Sequence, residues 1–309
     1  SRGRTMAENN RRQAEVPVGA AVIAQTRGTA PGLICPITHQ GVDKVIYAVP
    51  GVPHEMRDML ERAIVPDLLE RSGETAVIAS RVLRTWGESE SGLNEKLEQV
   101  IEQLETSDPP TLAFLASGWN GLKVRLTAKD ATRIGCSAQL DKWEAVVRHE
   151  IDDLIFGTDD DTMESVVLDL CRERGLTLAV AESVTGGLVG GRLTDIPGAS
   201  DVFRGGVISY ATEVKQSVLG VSEGPVVSEI AARQMAVGVR NRLGADIGLS
   251  LTGVAGPAEQ DGQPVGTLFV GMVGPGFEEV RQANMPGVRE LMRQFSVITA
   301  LGFLRQQLI

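Results

Sequence analysis

LTLAVAESVTGGLVGGRL, residues 176–193, decides the fold. Residues 176–181 form an apolar run of strand length, and 183–193 reads as the helix that follows, with two glycine pairs in the turn and first helical residues. Working outward, 206–210 reads as a strand, 213–219 as a short helix, 228–243 as a long helix, 247–251 and 267–273 as strands, 278–283 as an edge strand and 290–308 as a terminal helix. Strands and helices in turn, with glycine-rich loops after strands, predict a layered α/β domain over 158–309 whose site lies at the strand ends. Its start is set by Gly157-Thr158-Asp159-Asp160-Asp161-Thr162, where Asp161 or Thr162 could cap the next helix.

Upstream, 80–157 reads strand, helix, hairpin, helix, an α+β pattern. Runs 111–116 and 122–128 flank Gly118-Trp119-Asn120-Gly121, a hairpin signal. In 1–79, KVIYAV (44–49) reads as a buried strand, followed by a helix over 55–71. That is the end of an α/β unit, and the residues before it are too few and too glycine-rich to complete a doubly wound sheet. This segment is expected to be half a domain.

Composition removes several classes of function. Thirty basic against forty acidic residues give a charge of −10, the acidic excess lying in the last two thirds of the chain. A polyanion binder needs the opposite sign. Aromatic residues make up 4%, too few for stacking platforms along a single strand. Cys35, Cys136 and Cys171 are far apart, with no CxxC and no histidine at zinc spacing, so neither a disulfide framework nor structural zinc is expected and a reducing cytoplasm fits. No apolar run reaches the roughly 20 residues that span a bilayer. SRGRTMAENNRRQ (1–13) is charged without an apolar segment behind it, unlike a signal peptide, and opens on Ser1, so a cut or processed chain is expected.

In 158–309 the chemistry narrows by elimination. His39, His54 and His149 all lie upstream, so no serine–histidine or cysteine–histidine site can be built within this segment. Cys171 falls on the apolar side of a helix. A Walker reading of 186–193 fails because Arg192 stands where lysine must be and Leu193 where the magnesium ligand must be. The run also lacks GxGxxG spacing. What remains is Ser183 at a strand's carboxyl end, followed by amides unhindered at Gly186 and Gly187, a donor cluster suited to an oxyanion or phosphate. Alternatively, Ser183 caps the helix and the glycines allow close packing.

Lysine usage bears on that choice. The chain carries 24 arginines and six lysines, and Lys215 is the only lysine among twelve cations of 158–309. Arginine replaces lysine in an ion pair but cannot give up its proton to act as a base. A lone lysine therefore suggests a Ser–Lys dyad, against the plain alternative of one surviving surface lysine. Ser250 and Thr252 share a strand face, and Gly253 and Gly256 beside them let a ligand approach. Arg289 and Arg293, one helical turn apart, could hold a phosphate or form a solvated face. Glu182 reads as an ordinary strand-end carboxylate. The Gly118–Gly121 spacing is that of an RNA-binding GxxG loop, but it contains no basic residue, and the turn reading is preferred.

AESVTGG (181–187), GRLTDIPGASDVFRGGVISYATEVK (191–215) and LSLTGVAGP with PVGTLFVG (249–271) closely resemble the C-terminal domain of the CinA family. NNRRQAEVP…GTAPG (9–32) and YAVPGVPHEM (47–56) resemble the second half of that family's molybdopterin-cofactor-biosynthesis-like domain, and 80–157 its KH-like domain. The resemblance implies nicotinamide mononucleotide deamidation, with Ser183 as nucleophile, Lys215 as base and Tyr210 and Thr252 assisting. Thr185, Gly186, Gly187, Gly253, Gly256 and an arginine would bind substrate. The family's GDRxxxR pattern leaves Arg289 and Arg293 as the choices, with Val288 where Asp is usual, and Ala258-Glu259-Gln260 stands where the family has a glycine run. Deamidation needs no metal or other cofactor. The family's pyrophosphatase activity on ADP-ribose needs a divalent metal and the first half of the N-terminal domain, which the sequence lacks. A competence or DNA-damage role is the other alternative. The expected partners are a small nucleotide substrate and a second copy of the chain, with no nucleic acid and no membrane.

Overall fold

A computed structural model describes residues 15–26, 30–73, 76–106, 110–116 and 118–309. The charged opening segment and the 9–14 and 27–29 parts of the first family motif lie outside the described residues. The chain divides into two compact units, 1–76 and 77–309.

In the first unit, β1 (Ala21–Ile23), β2 (Gly32–His39) and β3 (Val42–Ala48) form an antiparallel sheet in that order. Gln40 and Gly41 both have positive φ, 53° and 76°, the signature of a tight hairpin turn. The expected buried strand is thus the second arm of a hairpin, with Ile46 53% exposed. A short apolar run cannot by itself tell a buried strand from one open on a face. Pro36 is tolerated in β2 because β1 pairs only as far as Ile34. The helix expected at 55–71 runs as α1 (Pro53–Met59), a π turn (Leu60–Ile64) and α2 (Val65–Ser72). Pro66 has no N–H to give, and the Val65 amide reaches back five residues to Leu60. Met59 and Ile64 from this helix pack with Ile23 into a small core.

The second unit opens with β4 (Val77–Thr85), α3 (Glu90–Lys96), α4 (Glu98–Thr106), β5 (Pro110–Ala116), β6 (Leu122–Asp130), α5 (Arg133–Ile151) and β7 (Ile155–Thr158). The sheet order is β5-β6-β4-β7, antiparallel throughout. On β6, Val124, Leu126 and Ala128 point into the core while Arg125 faces out, the period-2 alternation of a one-sided sheet. Ser89 caps α3 and Thr132 caps α5 through side-chain oxygens.

Beyond Thr162, which shares a reciprocal cap with Ser165, come α6 (Met163–Arg174), β8 (Leu178–Glu182), α7 (Leu188–Thr194), β9 (Phe203–Ile208), α8 (Thr212–Leu219) and α9 (Glu229–Leu243). Then follow β10 (Ile247–Gly253), β11 (Thr267–Gly274), β12 (Phe277–Asn284) and α10 (Arg289–Leu308). The sheet order is β12-β11-β10-β8-β9, and β10, β8 and β9 run parallel. Leu178 and Val180 pack with α6 and α10 on one face, while Ala179 and Ala181 meet α8 and α9 on the other. The layered α/β arrangement is as expected. Helix α9 lies so close to the sheet that a Cβ at Gly248 or Gly271 would strike the Ala236 or Ala232 carbonyl. The carboxyl ends of the three parallel strands open on one side, where such sheets bind ligands. None of the described helices is long and apolar enough to cross a membrane.

Candidate active site

Helix α7 begins at Leu188, not at Ser183. Its N-cap is Gly187 at φ 100°, preceded by Gly186 at φ 61°, so 183–187 is a loop. Glu182, 2% exposed, takes the role sequence reading missed. Its Oε2 accepts the Gly187 and Val189 amides at 2.9 and 3.0 Å, and its Oε1 accepts Gly190 at 2.8 Å. A carboxylate at a helix N-terminus satisfies orphan donors and complements the macrodipole. The expected anion-binding cluster is therefore corrected: the Gly187 amide is spent on Glu182 and the Gly186 amide on the Ser183 carbonyl.

Ser183 is held by its own amide, which donates to Leu251 O at 3.0 Å across to β10. Its hydroxyl makes no hydrogen bond to a described residue, and it is not a cap. Among the described residues, the Val184 amide also lacks an acceptor. Both residues line a cavity of about 150 Å³, together with Tyr210, Lys215, Thr252, Gly253, Gly256 and Arg289.

Lys215 enters this cavity from α8, with only 2% of its surface exposed. Its Nζ donates to the Ser209 carbonyl at 2.7 Å and the Tyr210 carbonyl at 3.1 Å. Burial lowers its pKa from the usual lysine range, opposed by the charges of Asp261 and Glu213. A neutral amine has two N–H groups and one lone pair. With both N–H groups directed at carbonyls, the lone pair is left for a proton.

The other expected residues separate into two groups. Arg289 stands at the cavity, donating to Gly256 O at 2.9 Å and to the Tyr210 hydroxyl at 2.5 Å. The Tyr210 phenol thus partners the arginine rather than Ser183 or Lys215. Thr252 donates its only hydroxyl proton to Val226 O at 2.7 Å, so it is not free to donate to an oxyanion. Ser250 likewise gives its proton to Ala232 O at 2.5 Å, tying β10 to α9. Gly253 is required by packing, since a Cβ there would meet the Thr267 carbonyl. Arg293 is away from the cavity and braces the loop, donating to Val184 O at 3.1 Å and Thr185 O at 2.8 Å. Thr185 is fully buried and does not line the cavity.

Sequence reading missed Val226 and Val227, which close one side of the cavity, and Gln260. Cys171 is buried and its thiol is pushed up to about 11 by desolvation, an inert core sulfur. The GxxG-like turn is committed elsewhere in the same unit. Arg192 of α7 stacks over the Trp119 ring at 4.0 Å, donates to Asn120 Oδ1 at 3.1 Å and pairs with Glu164 at 2.5 Å. Among the described residues, no group of three or more His, Cys, Asp or Glu side chains is placed to hold a metal ion.

Comparisons with known proteins match two stretches of the chain. Residues 160–308 match the family described as the CinA C-terminal domain, and 80–157 that described as the damage-inducible protein CinA KH domain. A CinA-like protein of Frankia casuarinae is 46% identical, covering 99% of this chain and 71% of that protein. A protein of Moorella thermoacetica named as competence-damage inducible is 40% identical, covering 100% of this chain and 74% of its own length. A solved CinA-superfamily protein of Klebsiella pneumoniae is 29% identical with a TM-score of 0.46, covering 47% of this chain and 95% of that one.

Proposed function

As the chain belongs to the CinA family, we propose that its C-terminal domain, 158–309, hydrolyses the carboxamide of nicotinamide mononucleotide to nicotinate mononucleotide and ammonia. The observation that carries this reading is a buried lysine, held by two carbonyls, opening on the same cavity as an unpartnered serine hydroxyl. Ser183 Oγ attacks the amide carbon and its proton passes to the neutral Lys215 amine. The oxyanion takes the Val184 N–H, a donor beside Ser183 at the cavity that has no acceptor among the described residues. Lys215 returns the proton to the departing nitrogen, and ammonia leaves an acyl ester on Ser183. Water attacks this ester with Lys215 again accepting the proton, which passes finally to Ser183 Oγ.

Arg289, at the cavity and still rich in N–H donors, is the phosphate contact, and Arg293 is a brace for the nucleophile loop. The scheme uses no metal and no cofactor, and it suits a cytoplasmic enzyme acting on a small nucleotide as a homodimer. Ammonia release from nicotinamide mononucleotide and from free nicotinamide tests the substrate assignment. The phosphorylated substrate should be hydrolysed with the higher kcat/KM, because the phosphate positions the amide. Equal efficiency on both would remove the phosphate site. Vigorous magnesium-dependent cleavage of ADP-ribose would favour the pyrophosphatase reading instead.

A further inference from the structure

The loop after Gly256-Pro257 places a carboxylate beside the cavity. Gln260 and Gln263 exchange backbone hydrogen bonds at 3.1 and 2.8 Å, folding the loop into a tight turn with Asp261 at its tip. Asp261 lies at φ 54°, a region aspartate enters more readily than most residues. Its Oδ2 accepts the Val226 amide at 2.8 Å and the Val227 amide at 2.9 Å, across 35 and 34 residues of chain. The Val226 carbonyl in turn accepts the Thr252 hydroxyl. Val226 is therefore clamped from both ends, by Asp261 at its nitrogen and Thr252 at its oxygen. Val226 and Val227 line the same cavity as Ser183, together with Ala258 and Gln260 of the Asp261 loop.

We propose that Asp261 is a positioning residue of the amide-hydrolysing site, pinning the valine strap with one oxygen and acting on Lys215 through its charge. This rests on the amidase reading above. Among the described residues, two carboxylates act on the amine, Asp261 on this loop and Glu213 on the lysine's own helix, while Tyr210 on the loop before it and Arg289 on α10 line the same cavity and bond to each other. Of the two carboxylates acting on Lys215, Asp261 has the larger effect. It favours the ammonium form, opposing burial. The strap and the charge thus reside in one side chain, and two substitutions separate them. Asp261→Asn keeps an oxygen able to accept both amides but removes the charge. Asp261→Ala removes both.

The test follows Lys215 directly in the full chain carrying ¹³C-labelled lysine side chains. The Lys215 signal is identified by its absence in Lys215→Arg, and its titration is read by NMR. Asp261→Asn should move the Lys215 midpoint to lower pH, and the rising limb of kcat/KM should move with it, while KM stays within about twofold of wild type. Asp261→Ala should show the same direction of shift and raise KM by about tenfold, because the strap is released. An unchanged Lys215 midpoint in both variants, or an unchanged KM in Asp261→Ala, overturns the proposal. Failure of the amidase reading has a different signature, namely no ammonia from nicotinamide mononucleotide with the wild-type chain. In that case the NMR titration still decides whether Asp261 acts on Lys215.

Discussion

Lys215 Nζ donates to the Ser209 carbonyl at 2.7 Å from a position 2% exposed to solvent, a lysine held by dipoles rather than by a carboxylate in contact. Such a pocket disfavours the charged amine. The folded-state pKa is lowered, so the neutral fraction at a given pH is larger than for a free lysine, whose pKa is about 10.4. Acylation should accordingly rise with pH through an apparent pKa below the ordinary lysine value. Lys215→Arg should be nearly as damaging as Lys215→Ala, because guanidinium stays protonated. An active arginine variant would show that position 215 supplies only positive charge.

Ser183→Ala should leave the fold intact and remove turnover. The hydroxyl neither caps α7 nor bonds to a described residue, so stability should change by less than about 0.5 kcal/mol. Turnover should fall by roughly a thousandfold or more. Thermal unfolding and ammonia release separate the two effects, and a variant that keeps a substantial part of its activity would remove Ser183 from the mechanism.

Glu182→Gln tests the anchoring of the loop. Three amides converge on its two oxygens, and glutamine must turn an NH₂ group toward at least one of them. The expected loss is about 2 kcal/mol, read from the denaturation midpoint, with a fall in kcat as Ser183 shifts. Unchanged stability would mean that the carboxylate does not carry the helix terminus.

Thr252→Val separates a scaffold role from a catalytic one. If its hydroxyl serves to hold Val226, the substitution strands a buried carbonyl, costs about 1–3 kcal/mol and lowers kcat modestly. A loss of kcat of about a hundredfold or more with stability unchanged is the behaviour of an oxyanion donor.

The two arginines should also divide. Arg289→Ala should raise KM for nicotinamide mononucleotide by about tenfold and leave hydrolysis of free nicotinamide unaffected. Arg293→Ala, which releases the Val184 and Thr185 carbonyls, should lower kcat and stability for either substrate.

Local signals in the sequence reached the strand before Ser183, the lone lysine and the alternation that builds the layered sheet. Each depends on residues within a few positions of one another. The sequence points to a helix start at Ser183 because serine is a favourable cap residue, whereas the amides are taken by Glu182, the last residue of β8. The Asp261 clamp joins residues 35 positions apart and leaves no periodic trace. Arg289 and Arg293 are equivalent on a helical wheel. Only the packing of α10 against the nucleophile loop sends one to the cavity and the other to the loop carbonyls. In the first unit, the Gln40–Gly41 turn was hidden because glutamine rarely occupies a position with positive φ.

The most direct measurement is product analysis by mass spectrometry after incubating the full chain with nicotinamide mononucleotide in the presence of a chelator, with Ser183→Ala and Lys215→Arg alongside. Nicotinate mononucleotide and equimolar ammonia are expected from the wild-type chain, undiminished by chelation, and neither product above background from the two variants. Unaltered nicotinamide mononucleotide with the wild-type chain, or deamidation that persists in Ser183→Ala, would contradict the Ser–Lys amidase reading.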